Sequence, residues 1–171
     1  MENMERPQIS KLKSCDKMLG PWQSQLCDIQ GRLFENAGKA GYSSEQFIKQ
    51  FMTSSLAKEL DSTYNRMQWA GEEYLLEEFA DRCPAAPKDG NLYDNEVLYW
   101  AGYVYWHFLT GESSKDIYKQ APAETMNTNY LMFHCMDTEL AIEDLKEIHR
   151  QKAKKRSKSG RKAMPDRIQS D

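Results

Sequence analysis

The sequence predicts an all-α fold: a compact bundle of about five to seven helices around a central aromatic-rich helix, followed by a basic C-terminal tail. Three observations carry that expectation. Apolar side chains recur at intervals of three and four residues, the helical repeat, in one segment after another. The most apolar stretch, Val97 to Leu109, runs for 13 residues, whereas a strand averages about five or six and a buried helix needs about ten or more. Between the segments stand Gly, Pro, Asn and Asp, the residues that turn or stop a chain. At 171 residues, with 40% apolar, 11% aromatic and 29% charged side chains, the chain fits one hydrophobic core and no second. Residues 1–18 are read as a flexible N-terminus, 19–150 as the helical domain and 151–171 as a disordered basic tail.

The elements follow in order. Gly20 and Pro21 open a first helix, because proline costs nothing in a first turn whose N–H groups have no partner. Trp22, Leu26, Ile29 and Leu33 form its stripe, and it is expected to end near Gly38. Gly41 to Ser44 turns the chain, and Ser43 with Gln46 fits a capping box for a second helix carrying Phe47, Ile48, Phe51, Met52, Leu56 and Leu60. After an interruption at Asp61 to Thr63, a third helix takes Met67, Ala70, Tyr74, Leu75 and Phe79 to about Arg82. Pro84, Pro87, Asp89 and Gly90 mark a loop, and Asp94 or Asn95 caps the central helix. That helix has Val97, Ala101, Val104 and Phe108 on one face and Leu98, Tyr105 and Leu109 on a second, the pattern of an element surrounded by others. Ser113 and Asp116 cap a short helix to Ala121, Pro122 breaks it, and residues 123–134 resume with Met126, Tyr130 and Phe133 on one side. Asp137 caps a last helix carrying Leu140, Leu145 and Ile148.

Charge divides the chain. Residues 1–145 hold 13 Lys and Arg against 23 Asp and Glu, a balance of −10, while residues 146–171 hold 10 against 3, a balance of +7. An acidic body disfavours a broad nucleic-acid face, since phosphate neutralisation supplies most non-specific affinity. The tail, with Arg150, Lys152, Lys154, Lys155, Arg156, Lys158, Arg161 and Lys162, is the candidate polyanion-binding segment. Cys15, Cys27, Cys83 and Cys135 form no CxxC pair, so no zinc knuckle or dithiol motif can be drawn, and no metal or cofactor is expected. The first twenty residues lack an apolar run behind Lys11, Lys13 and Lys17, and the longest apolar stretch is short of the roughly 20 residues a spanning helix needs. A cytoplasmic protein with no membrane segment is expected.

No G-x-S-x-G, G-x-x-x-x-G-K-S/T, H-E-x-x-H or nucleotide-binding glycine cluster is present. Glu72, Glu73, Glu77 and Glu78, with His107 or His134 near them, are the carboxylates that acid–base chemistry would use, and equally the wet face of an ordinary helix. Cys135 beside His134 resembles a nucleophile pair only on paper, because adjacent residues on a helix point apart. Residues 113–133 have the outline of a helix-turn-helix, yet the recognition position exposes Glu124, Asn127, Thr128 and Asn129 without a Lys or Arg. Four Trp, nine Tyr and six Phe exceed what one small core requires. Tyr93, Tyr99, Tyr103 and Trp106 are therefore read as a partner-binding surface beside the central helix, with burial between helices as the plainer alternative.

Three stretches, WAGEEYLLEEFADRC at 69–83, YWAGYVYWHFLTGESSKDIYKQA at 99–121 and AETMNTNYLMFHCMD at 123–137, resemble an uncharacterised family of small bacterial proteins. That family is associated with toxin–antitoxin-like loci that include a toxin resembling an ADP-ribosyltransferase. The resemblance covers about residues 20–148 and carries over no catalytic or ligand-binding residue. It implies an antitoxin or accessory factor acting through protein contacts. The function expected is thus a non-enzymatic interaction module binding a toxin of its own locus. A nucleic-acid-associated regulator using residues 113–133 and the tail, or a small enzyme with a non-contiguous Glu/His site, are the alternatives.

Overall fold

The computed structural model describes residues 20–62, 65–109 and 112–161, with the side chain of Arg161 excepted. Its elements are α1 (Pro21–Lys39), α2 (Ser44–Met52), α3 (Ser55–Leu60), a 3-10 turn (Arg66–Trp69), α4 (Glu72–Arg82), α5 (Asn95–His107), α6 (Ser114–Gln120), α7 (Ala123–Phe133) and α8 (Thr138–Arg161). The architecture is a compact all-α bundle; among the described residues there is no strand. The eighth helix arises because the single second helix expected from the sequence divides at Ser54, whose hydroxyl accepts the Ala57 N–H and starts α3 afresh.

α1 and α5 form the main pair, and glycine makes their contact possible. A Cβ on Gly102 would stand 2.5 Å from the Gln30 carbonyl oxygen, and one on Gly31 would stand 2.9 Å from the Tyr99 carbonyl oxygen. α1 ends within a residue of Gly38, as expected, and a side chain at Gly38 would run into Leu98. The helix stops at Ala40 because Gly41 takes φ +85°, a left-handed conformation that side chains with a Cβ resist. The third helix likewise begins at Glu72 and not near Met67: Gly71, at φ +60°, breaks the path between the 3-10 turn and α4.

Around the α1–α5 pair sit α2, α4, α6, α7 and the first half of α8. The core is aromatic. Phe34 meets Phe47 and Phe51 edge-on at 5.4 and 5.3 Å between ring centroids, and Phe79 meets Phe47 at 4.8 Å. Such pairs add about 0.5–1.5 kcal/mol each beyond the area they bury. Tyr105 is wholly buried, and its hydroxyl donates to the Ala121 carbonyl at 2.6 Å, pairing an acceptor that the end of α6 would otherwise leave open. Burial pushes the Tyr105 phenol well above its ordinary range.

The connections are tied to helix ends. Ser43 precedes α2, but the expected capping box does not form. Instead the Ser43 and Ser44 N–H groups donate to the Pro87 and Asn91 carbonyls, and Ser44 Oγ accepts the Tyr93 N–H at 2.8 Å, so the 83–94 loop is seated on the start of α2. Asp61 accepts from the N–H and hydroxyl of Ser114 at 2.8 and 2.6 Å, fastening the start of α6 to the end of α3. Ser113 and Asp116 form the expected cap.

α8 corrects the sequence reading twice. Its buried face is Ala141, Ile142 and Leu145, while Leu140 is 57% exposed. Residues 151–161, expected to be disordered, continue the helix as an exposed basic stem. Gln, Lys, Ala and Arg are strong helix formers, no breaker intervenes before Gly160, and Arg150 and Gln151 both bond back to Glu147. None of residues 151–160 is buried.

Candidate functional site

The four aromatic residues singled out from the sequence do not form one surface. Tyr99 and Tyr103 are neighbours on α5, with ring centroids 6.3 Å apart. Tyr93 turns toward α2, where its hydroxyl donates to Glu45 at 2.7 Å. Trp106 is buried at 8% exposure and meets Trp22 edge-on, so it belongs to the core and not to a contact surface. Its Nε1 and the Nδ1 of His107 are buried without a hydrogen-bond partner among the described residues. Burial pushes the His107 imidazole down, against the opposing pull of Glu139 and Asp137.

A groove of about 360 Å³ opens between α1, α5 and α7. Its walls are Glu35 of α1, Asn95, Glu96, Tyr99 and Trp100 of α5, and Tyr130 and His134 at the end of α7. Helical spacing builds it: Glu96 and Trp100 stand one turn apart on α5, as do Tyr130 and His134 on α7. Trp100 meets Tyr130 at 5.7 Å in a T-shape, and the His134 ring stacks on Tyr130 at 4.6 Å. Tyr130 donates to Glu96 Oε2 at 3.2 Å, and Tyr99 donates to Asp28 Oδ1 at 2.5 Å. Burial first, and then these carboxylate partners, push both phenols up, Tyr99 to about 12.

At the groove's end, Cys135 Sγ lies 3.1 Å from His134 Nε2. The two do meet, contrary to the expectation for adjacent helical residues, because α7 ends at Phe133 and the pair stands in the turn beyond it. His134 Nδ1 lies 2.9 Å from the Tyr130 carbonyl, so Nδ1 carries the proton and Nε2 accepts. On either side of the turn between α7 and α8, Leu131 and Met132 of α7 and Leu140 of α8 are 82%, 70% and 57% exposed.

The acidic patch of α4 is not joined to either histidine. Glu72 pairs with Arg32 at 3.3 Å and Glu78 with Arg82 at 3.1 Å, while Glu73 and Glu77 face solvent. Among the described residues no group of His, Cys, Asp and Glu could hold a metal ion, and no helix is long and apolar enough to cross a membrane. The helix-turn-helix outline resolves into α6 and α7, each packed on α2 and α5, and the outward positions of α7 are Glu124, Asn127, Thr128, Leu131 and Met132. Of the basic candidates, Arg150 pairs with Glu147 at 2.9 Å and Lys152 donates to Thr125 Oγ1 at 3.2 Å. Lys154, Lys155, Arg156 and Lys158 are exposed, Arg161 closes the helix, and Lys162 lies outside the described residues.

Sequence reasoning missed Glu35, Glu96 and Trp100, and placed Tyr130 among core positions. One signal was legible: Leu131, Met132 and Phe133 follow Tyr130 directly, and four consecutive large apolar residues cannot all face inward from one helix. No family model matches the chain, and no curated protein or solved structure does so either.

Proposed function

We propose that the protein is a non-enzymatic interaction module that docks a partner protein across the α1–α5–α7 groove and the adjoining α7–α8 corner. The observation that carries this reading is apolar exposure at the end of α7: the adjacent residues Leu131 and Met132 face water at 82% and 70% exposure on the helix whose Tyr130 lines an aromatic groove. Clustered apolar exposure of this kind marks interaction sites, whereas single exposed residues need no explanation. The partner that the family resemblance suggests is a toxin encoded at the same locus, for which the chain would serve as antitoxin or accessory factor. Co-expression with the neighbouring gene product followed by size-exclusion chromatography at micromolar concentration tests it. The pair should co-elute, and Leu131→Glu with Met132→Glu should separate them without altering the fold; a neighbour that never co-elutes removes the toxin version.

A second reading draws on the exposed end of α8. Lys154, Lys155, Arg156 and Lys158 project from one solvent-surrounded helix, an arrangement suited to phosphate contacts. Nucleic-acid affinity through this stem would fall steeply with salt, and no binding at low ionic strength would end this reading.

A further inference from the structure

The groove's lining says what kind of side chain the docked partner must bring. Three aromatic side chains, those of Tyr99, Trp100 and Tyr130, line it with two carboxylates, those of Glu35 and Glu96, and the His134 ring covers one face of Tyr130. An aromatic face attracts a cation through its quadrupole, and a carboxylate alongside adds net charge to that attraction. The two carboxylates are not equivalent. Glu35 is engaged by Lys39 at 2.6 Å. Glu96 receives the Tyr130 hydroxyl at 3.2 Å, and no Lys or Arg forms an ion pair with it among the described residues. The groove therefore presents an acceptor with unused capacity beside rings that favour positive charge. The balance of −10 over residues 1–145 has the same sign.

Resting on the docking reading above, we propose that this groove takes an arginine side chain from the partner, its guanidinium stacked among Tyr99, Trp100 and Tyr130 and hydrogen-bonded to Glu96. Arginine suits the lining better than lysine. A guanidinium is flat and weakly hydrated, so one face can lie on a ring while its edge N–H groups reach a carboxylate. An ammonium is a compact, strongly hydrated point charge and would have to shed more water for fewer contacts. The space, about 360 Å³, also admits the chain on either side of the arginine, at the lower end of the range typical of ligand pockets.

The test is an NMR titration of the full chain with the peptide acetyl-Ala-Leu-Arg-Leu-Ala-amide and its citrulline and lysine counterparts. The indole N–H signal of Trp100, assigned with a Trp100→Phe variant, is the reporter. The arginine peptide should move that signal saturably and leave the signals of Trp22 and Trp69 in place. Citrulline, which keeps the shape and loses the charge, should bind about tenfold more weakly, the loss of one charge-assisted contact. The lysine peptide should fall between them. Glu96→Gln should weaken the arginine peptide by a similar factor with an unchanged melting temperature, and Glu73→Gln should do nothing. Equal binding of the citrulline peptide, full affinity in Glu96→Gln, or absence of saturable shifts at Trp100 would each overturn the assignment. So would self-association of the free chain that Glu96→Gln abolishes, because the occupant would then be the basic stem of a second copy. If the peptide fails while the co-eluting partner is still released by the Leu131 and Met132 substitutions, docking stands and the arginine assignment falls. If the peptide binds as described and no partner co-elutes, the toxin version of the docking reading is the one that fails.

Discussion

Gln30 and Gly102 hold one another across the α1–α5 crossing. The buried Gln30 amide donates from Nε2 to the Gly102 carbonyl at 3.0 Å, and its own backbone carbonyl occupies the space where a Gly102 side chain would begin, 2.5 Å from an ideal Cβ. The same close approach brings Tyr99 and Trp100, less than one turn earlier on α5, into line with Glu35 on α1. The crossing that packs the core thus also sets the groove.

Gly102→Ala should accordingly destabilise the fold. The added methyl meets backbone, which cannot rotate away as a flexible side chain could, so the helices must part. Overpacking of this kind costs about 1–3 kcal/mol, which in a domain of this length lowers the melting temperature by roughly 2–4 °C per kcal/mol. Thermal unfolding followed by circular dichroism measures it, and an unchanged midpoint would show that α1 and α5 are not in this contact.

Alkali should loosen the bundle through its tyrosines. The Tyr99 phenol is pushed up to about 12, by burial first and by the Asp28 carboxylate second. The folded state therefore holds this proton more tightly than the unfolded chain, whose tyrosines ionise near 10. The stability that follows is intact below about pH 10 and is lost as pH climbs toward 12. Denaturant midpoints between pH 9 and 12 should fall more steeply for the wild type than for Tyr99→Phe, and parallel curves would contradict the assignment.

Truncation after Arg150 should leave the body nearly as stable as before. Residues 151–160 are exposed throughout, and the contact they make with the body is the Lys152–Thr125 hydrogen bond. A partly buried hydrogen bond is worth about 0.5–1.5 kcal/mol, so the melting temperature should move by less than about 6 °C, while any polyanion affinity disappears. A larger drop would mean that the stem packs against the body.

The cysteines should label in order of burial. Cys135 is exposed, Cys83 is half-buried and Cys27 is buried with its thiol pushed up to about 12 by desolvation. At pH 8 the thiolate fraction of Cys27 is then about a thousandfold below that of an ordinary thiol. Among the three cysteines of the described residues, iodoacetamide labelling mapped by mass spectrometry should show Cys135 modified first and Cys27 modified on unfolding. Early labelling of Cys27 would indicate that α1 opens in the native state.

Local pattern was enough to determine the helical class, the 83–94 loop, the caps at Ser113 and Asp137, and the buried positions Leu26, Ile29 and Leu33 of α1. Each of these depends on residues within one or two turns of one another, which a sequence displays directly. What the tertiary structure alone decided involves partners far apart in the chain. Gly38 marked the end of α1 to within a residue, but that it is also a packing position follows only from Leu98 lying against it. Trp106, open to a surface or a core reading by its spacing, lies in the core, while Trp69, two residues before the break at Gly71, is 77% exposed. The groove joins Glu35, Glu96 and Tyr130 from three helices. Helical periodicity tells which residues share a face but not which face another helix covers, and that choice is made when α1, α5 and α7 pack together.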